Sequence, residues 1–231
     1  MRNFIKPLSL VLLLSTCTAF GAGGGSMPSG GMGSASRMDP PPTPEEQARQ
    51  SYNAGVKAVE KADGLGADAL RQTDAKKQQK ALDKAKSGYA GALKKFSRAT
   101  ELNPRMHEAW NYVGYTNRKL GHYDEALAAY DKALTLKPGY ADALEYRGEA
   151  YLGLNRIPDA QQAYLDLYAG NRALAGKLLT AIKSWVADQR ATAAGSNAPN
   201  LDELDKWIQE RAQIAGQTAA LTRAGTAASW R

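Results

Sequence analysis

The residues that could carry chemistry in this 231-residue chain are few and scattered. Histidine occurs only at His107 and His122, and neither stands beside a second histidine or a cysteine at ligand spacing. No metal site is expected from them. Cys17 is the single cysteine and lies in the N-terminal apolar segment, so neither a disulfide framework nor a cysteine-based zinc site is available. Glu145 and Glu149 share a helical face, the spacing an acid–base pair would use. In this charged setting they read instead as solvated surface. There is no Gly-x-Ser-x-Gly turn, phosphate-cradling glycine loop or dinucleotide fingerprint, and Gly23–Gly25 and Gly30-Gly31 have no strand before them and no helix immediately after. No catalytic residue and no cofactor are expected, which leaves recognition as the chemistry to explain.

The elements that would position recognition residues are marked by an internal spacing of 34. At that interval Ala92 meets Ala126 and Ala160, and Phe96 meets Tyr130 and Tyr164. Ala99 likewise meets Ala133, Pro104 meets Pro138, and Gly114 meets Gly148. Each match keeps its chemical type, the signature of stacked structural repeats. Within one unit, Trp110, Val113, Gly114 and Asn117 form one amphipathic face, and Ala126, Leu127, Tyr130, Ala133 and Leu134 form another. Gly121 suits the end of the first helix, Asp124 the cap of the second, and Pro138 the end of the unit. Gly114 with Ala126, and Gly148 with Ala160, supply the small residues needed where two helix axes approach. Tyr130 and Tyr164 are expected to fill the groove toward the neighbouring unit.

This pattern resembles the tetratricopeptide repeat, with Trp110, Gly114, Ala126, Tyr130, Ala133 and Pro138 carrying it in one unit and Gly148, Tyr151, Ala160 and Tyr164 in the next. Asn117, Leu144 and Arg172 depart from it, the first where an aromatic is usual, the others in place of a tryptophan and a closing proline. The resemblance covers roughly residues 44–190 and implies an all-α solenoid whose first helices line a concave, partner-binding wall. By position the wall comprises Arg49, Tyr52 and Val56; Glu108, Asn111, Tyr115, Arg118 and Lys119; and Asp142, Glu145 and Glu149. Tyr115 stands out as an aromatic among polar residues, either an exposed contact for a partner peptide or a ring packed between units. Asn111 and Lys119 occupy the wall that clamps a peptide carboxylate in chaperone-binding members, but the first unit has no matching lysine, so that function does not carry over.

The first unit is interrupted. Glycine and alanine lie 12 apart from Gly114 to Ala126, but 37 apart from Gly55 to Ala92, an insertion of 25 residues. Helical spacing continues on both sides of Thr73-Asp74, which predicts an elongated hairpin; a kink at Asp63–Gly66 is the competing reading, because Gly64 and Gly66 weaken a helix. The formal charge of +7 is concentrated here: from Lys57 to Arg98 there are eleven basic residues against five acidic. Lys76, Lys77, Lys80, Lys84 and Lys86, near the tip, are candidates for an anionic surface, or simply keep the arm soluble.

Before the repeats, Arg2 and Lys6 precede the apolar run Leu8–Leu14 and then small residues, the form of a signal peptide over 1–21. Ala19-Phe20-Gly21 offers ordinary cleavage. Leu14-Ser15-Thr16-Cys17 resembles a bacterial lipobox with Thr16 out of pattern, which makes Cys17 a lipidation candidate. Residues 22–43, rich in Gly, Ser and Pro, read as a flexible tether. Thr43-Pro44-Glu45-Glu46 then forms a capping box. Units are expected at 44–103, 104–138 and 139–172, with capping helices over 173–231 that continue the period at Leu178, Ala181 and Trp185. Asn200 with Glu203 is expected to cap a last helix carrying Leu201, Leu204, Ile208, Ile214 and Ala215. The expected protein is exported and periplasmic, or membrane-anchored if Cys17 is acylated. It would bind an unknown protein partner, and export argues against nucleic acid. The alternative is a subunit that self-assembles around Trp207 and Ile208.

Overall fold

A computed structural model describes the backbone of residues 41–192 and 201–228, and side chains through residue 222. These residues form α1 (Pro44–Arg71), α2 (Ala75–Leu102), α3 (His107–Leu120), α4 (Tyr123–Leu136), α5 (Ala141–Gly153), α6 (Ile157–Gly170), α7 (Arg172–Thr192) and α8 (Leu201–Ala228). The leader, nearly all of the tether, Cys17 and Asn200 lie outside the described residues.

Local chemistry explains the helix ends. At the start of α1 the Thr43 backbone N–H donates to Glu46 Oε2 at 2.8 Å, and the Glu46 N–H donates back to Thr43 Oγ1 at 3.2 Å. Such a reciprocal cap satisfies two donors that the first helical turn leaves open. Asp74 caps α2 by accepting from the Lys77 N–H. Gly121 ends α3 at φ 85°, where His122 N–H donates to Asn117 O and Gly121 N–H to Arg118 O, a Schellman arrangement. Asn155, 34 residues later, takes the same left-handed role at φ 57°. Asp124 is not the cap of α4: the helix begins at Tyr123, and Asp124 and Glu125 place negative charge in its first turn.

The small residues let the helices close. A Cβ added at Gly55 would overlap the Phe96 ring, and one at Gly114 would overlap the Tyr130 ring. Gly148 departs from this series. Its neighbour is Leu178 of α7, with Ala163 behind, whereas Tyr164 turns toward Trp207 of α8 at 5.3 Å between ring centroids. The third unit is therefore closed by the helix that follows it.

Along the array, α3 touches α5 and α5 touches α7, while α2 and α4, or α4 and α6, make no comparable contact. Odd-numbered helices crowd together and even-numbered ones splay, which curves the array with α3, α5 and α7 on its inner side. The insertion forms a continuous antiparallel hairpin: α1 and α2 have 28 residues each, against 14 in α3 and α4. At 1.5 Å per residue that is about 42 Å against about 21 Å, so the hairpin extends well past its neighbours. Gly64 and Gly66 lie inside unbroken helix. Ala62, Ala69 and Ala85 are fully or almost fully buried along this arm.

At the other end, α7 buries Leu178, Ala181, Ile182 and Trp185, and α8 covers it with Leu204 and Ile208. Arg190 ties the pair through Asp202 at 2.8 Å and Asp205 at 2.6 Å. Of the residues expected at an assembly surface, Ile208 is buried and Trp207, partly exposed, rests on Tyr164.

Candidate partner-binding wall

The inner helices bring most of the expected wall residues to one surface, but in a different role from the one their types suggested. Tyr115 is not an exposed contact; it is 5% exposed, and its hydroxyl donates to the Asp63 carboxylate at 2.8 and 2.9 Å. Tyr89 of α2 donates to the same carboxylate at 2.5 Å, and Lys119 Nζ stands 3.8 Å away. Burial and the Asp63 charge together push both tyrosine hydroxyls far up from their ordinary range, so they remain donors. Burial also holds the Lys119 ammonium below its ordinary range, with the Arg118 charge adding to the effect.

Arg118 is similarly committed. It forms an ion pair with Glu149 across α3 and α5, and its guanidinium lies 5.3 Å from the centres of both the Tyr115 and Tyr146 rings. A cation between two aromatic faces and against a carboxylate is held on three sides. Arg118 and Lys119 therefore organise the wall and are not free to clamp a partner.

Asn111 and Glu145 occupy equivalent positions of successive units, 34 residues apart. Contrary to the expectation of solvated surface, Glu145 is 5% exposed and makes no hydrogen bond or ion pair among the described residues. Its carboxyl is pushed up to about 8, chiefly by burial and then by the neighbouring Glu149 charge. Asn111 is 2% exposed, and its Oδ1 has no hydrogen-bond partner. Asp142 sits one turn before Glu145 and is partly exposed, as is Glu108, whose carboxylate contacts His107 Nδ1 at 3.1 Å.

The aromatic content of this surface was the part the residue types did not reveal. Tyr112 stacks on Phe96 at 4.7 Å, meets Tyr52 edge-on at 5.6 Å and lies 6.1 Å from Tyr115, which in turn lies 5.1 Å from Tyr146. Tyr52, Tyr112 and Tyr146 remain partly exposed, so a row of rings crosses α1, α3 and α5. The missed signal was the 34-residue pair Tyr112 and Tyr146. The basic candidates lie elsewhere: Lys76, Lys77, Lys80, Lys84 and Lys86 are all exposed on the first half of α2, away from the wall.

Comparison with known proteins agrees with this architecture. Residues 82–141 and 118–176 match the tetratricopeptide repeat family model, so this part of the chain carries tetratricopeptide repeats. The chain is similar to Superkiller complex protein 3 of Mus musculus, 37% identical over 73 residues. It is also similar to the Homo sapiens protein of that name, 38% identical over 82 residues. Those matches cover 32% and 36% of this chain and about 5% of each relative. Among solved structures, MamA protein aligns over 68% of this chain and 89% of its own at 19% identity, with a TM-score of 0.32.

Proposed function

We propose that this chain is a non-enzymatic scaffold of the bacterial cell envelope that holds a segment of a protein partner along the wall formed by α1, α3 and α5. The observation that supports this most is the row of partly exposed rings Tyr52, Tyr112 and Tyr146 on the same helices as Asp142 and Glu145, which form no ion pair among the described residues. Rigid aromatic surface with a few fixed polar groups is what a segment can dock against at low entropic cost. Export to the periplasm, with or without acylation of Cys17, is part of the same reading, because a basic–apolar–small pattern of the kind a signal peptide has precedes the repeats in the sequence. A photocrosslinking phenylalanine derivative placed at Tyr112 or at Tyr52 should capture the same partner peptide in cells, whereas one at Ala128, exposed on the outer α4, should not. Indiscriminate labelling from all three positions would reject the wall.

A second contact is favoured by the arm itself. Its five exposed lysines form no ion pair among the described residues and lie on a stretch of hairpin that extends past α3. Anionic envelope lipid is the natural counterpart. The triple change Lys76→Glu, Lys77→Glu, Lys80→Glu should abolish binding to phosphatidylglycerol-containing vesicles and leave phosphatidylcholine vesicles unaffected; unchanged binding would remove this contact.

A further inference from the structure

The floor of the wall contains two buried polar side chains at equivalent positions of successive units, Asn111 and Glu145. Both residues are more than nine-tenths buried; Asn111 Oδ1 is a buried acceptor with no hydrogen-bond partner among the described residues, and the Glu145 carboxyl makes no hydrogen bond or ion pair among them. A buried acceptor left unmet is costly, so it calls for a donor from outside the chain or for ordered water. Asn111 and Glu145 are register equivalents on adjacent inner helices, so polar side chains repeat along the direction a bound segment would follow. Asp142 stands one turn before Glu145 on α5 and forms no ion pair among the described residues, and the partly exposed Tyr112 and Tyr146 directly follow Asn111 and Glu145 in sequence. Of the cations nearby, Arg118 pairs with Glu149 and Lys119 lies against Asp63, while the exposed Lys177 of α7 acts on Glu145 at longer range and forms no ion pair among the described residues. No cation among the described residues stands at ion-pair distance from the Glu145 carboxyl.

We infer that the wall recognises a basic side chain, lysine or arginine, of an extended partner segment, with its N–H groups donated to Glu145, Asn111 and Asp142 and its stem against Tyr112 and Tyr146. This rests on the wall being the docking surface. The chemistry is complementary at each point: carboxylates meet the charge, the amide oxygen takes a further hydrogen bond, and the ring faces suit both an aliphatic stem and a cation. An apolar side chain would leave Asn111 Oδ1 unmet, and an acidic one would add repulsion from Asp142 and Glu149. Because the Glu145 carboxyl is held largely protonated near neutral pH, binding a cation should release a proton. The groups that set this proton are Arg118 on α3, Tyr130 on α4, Lys177 on α7, and Asp142 and Glu149 on its own helix.

The test is selection of a random peptide library displayed on phage against the full chain, followed by resynthesis of the strongest peptides. Enriched peptides should share one lysine or arginine. Its replacement by norleucine should weaken binding about tenfold or more, and the same replacement should have little further effect on the Glu145→Gln variant. Calorimetry in two buffers of different ionisation enthalpy should detect proton release with the native chain and none with Glu145→Gln. Enriched peptides that lack a basic residue yet lose binding to Tyr112→Ala would overturn the cation site and leave the wall standing. Peptides that bind regardless of Tyr112, Glu145 and Asn111, or no enrichment at all, would overturn both.

Discussion

Asp63 on α1 accepts the hydroxyl of Tyr115 on α3 through both of its carboxylate oxygens, across 52 residues of sequence. With Tyr89 and Lys119 at the same carboxylate, this one side chain joins the elongated hairpin to the regular array. Asp63→Ala would leave two tyrosine hydroxyls and an ammonium in a largely buried site without their acceptor. A loss of about 2–4 kcal/mol is expected from the unfolding midpoint in urea. Tyr115→Phe removes one donor while Tyr89 remains, and should cost about 1 kcal/mol. Equal losses from the two would mean the carboxylate is not the joint.

The glycines of the helices should separate into two classes. Gly114→Ala places a methyl group into the fully buried Tyr130 ring, and the neighbour cannot move without displacing the core between α3 and α4. Overpacking of this kind costs about 1–3 kcal/mol. Gly64, mid-helix and exposed, has nothing within 4 Å of an added Cβ. Gly64→Ala should therefore stabilise the arm by about 1 kcal/mol, through helix propensity alone. Thermal melts of the two variants should move in opposite directions.

This contrast also explains how far the residues themselves could be read. Repeat identity was legible because close helix crossings tolerate only small side chains, so Gly114, Ala126 and Ala160 recur where geometry demands them. The hairpin was legible because helical spacing survives on both sides of Thr73-Asp74. The site was less so, since periodicity places Tyr115 and Glu145 on the wall but says nothing of what stands opposite. Tyr115 finds a buried acceptor that arrives from an inserted segment, outside the 34-residue register. Glu145 is buried where α5 packs between α3 and α7. Neither relationship is local in sequence, and no pattern of residue types encodes it.

Arg118 offers a sharper test of the wall's interior. Its side chain is 12% exposed and that of its partner Glu149 is 16% exposed. Arg118→Met keeps the stem but removes the charge, leaving Glu149 beside Glu145 with no cation between them and the Tyr115 and Tyr146 faces without their guanidinium. A destabilisation of about 3 kcal/mol is expected. The double variant Arg118→Met, Glu149→Gln should recover a large part of it, because the buried negative charge is gone. Additive losses would show that the pair contributes through packing alone.

Stability should depend on pH through Glu145. In the unfolded chain its carboxyl titrates in the ordinary range, near 4.3, whereas the folded environment raises it to about 8. The folded state therefore holds this proton more tightly than the unfolded state. Its contribution is fully present below the ordinary carboxylate range and is lost progressively as pH rises toward about 8. Above that, folding must keep a charged carboxylate buried near Glu149 and Asp142, with only Arg118 and the exposed Lys177 opposing them. The melting temperature should accordingly fall between about pH 5 and pH 8.5. Glu145→Gln keeps the shape of the protonated carboxyl without its titration, so it should match the native chain near the acidic end and exceed it at the alkaline end. A parallel decline in the two proteins would assign the pH dependence to other groups. If a basic side chain does bind this carboxylate, its presence should flatten the native profile, because the carboxylate then gains a counter-charge where the free chain has none.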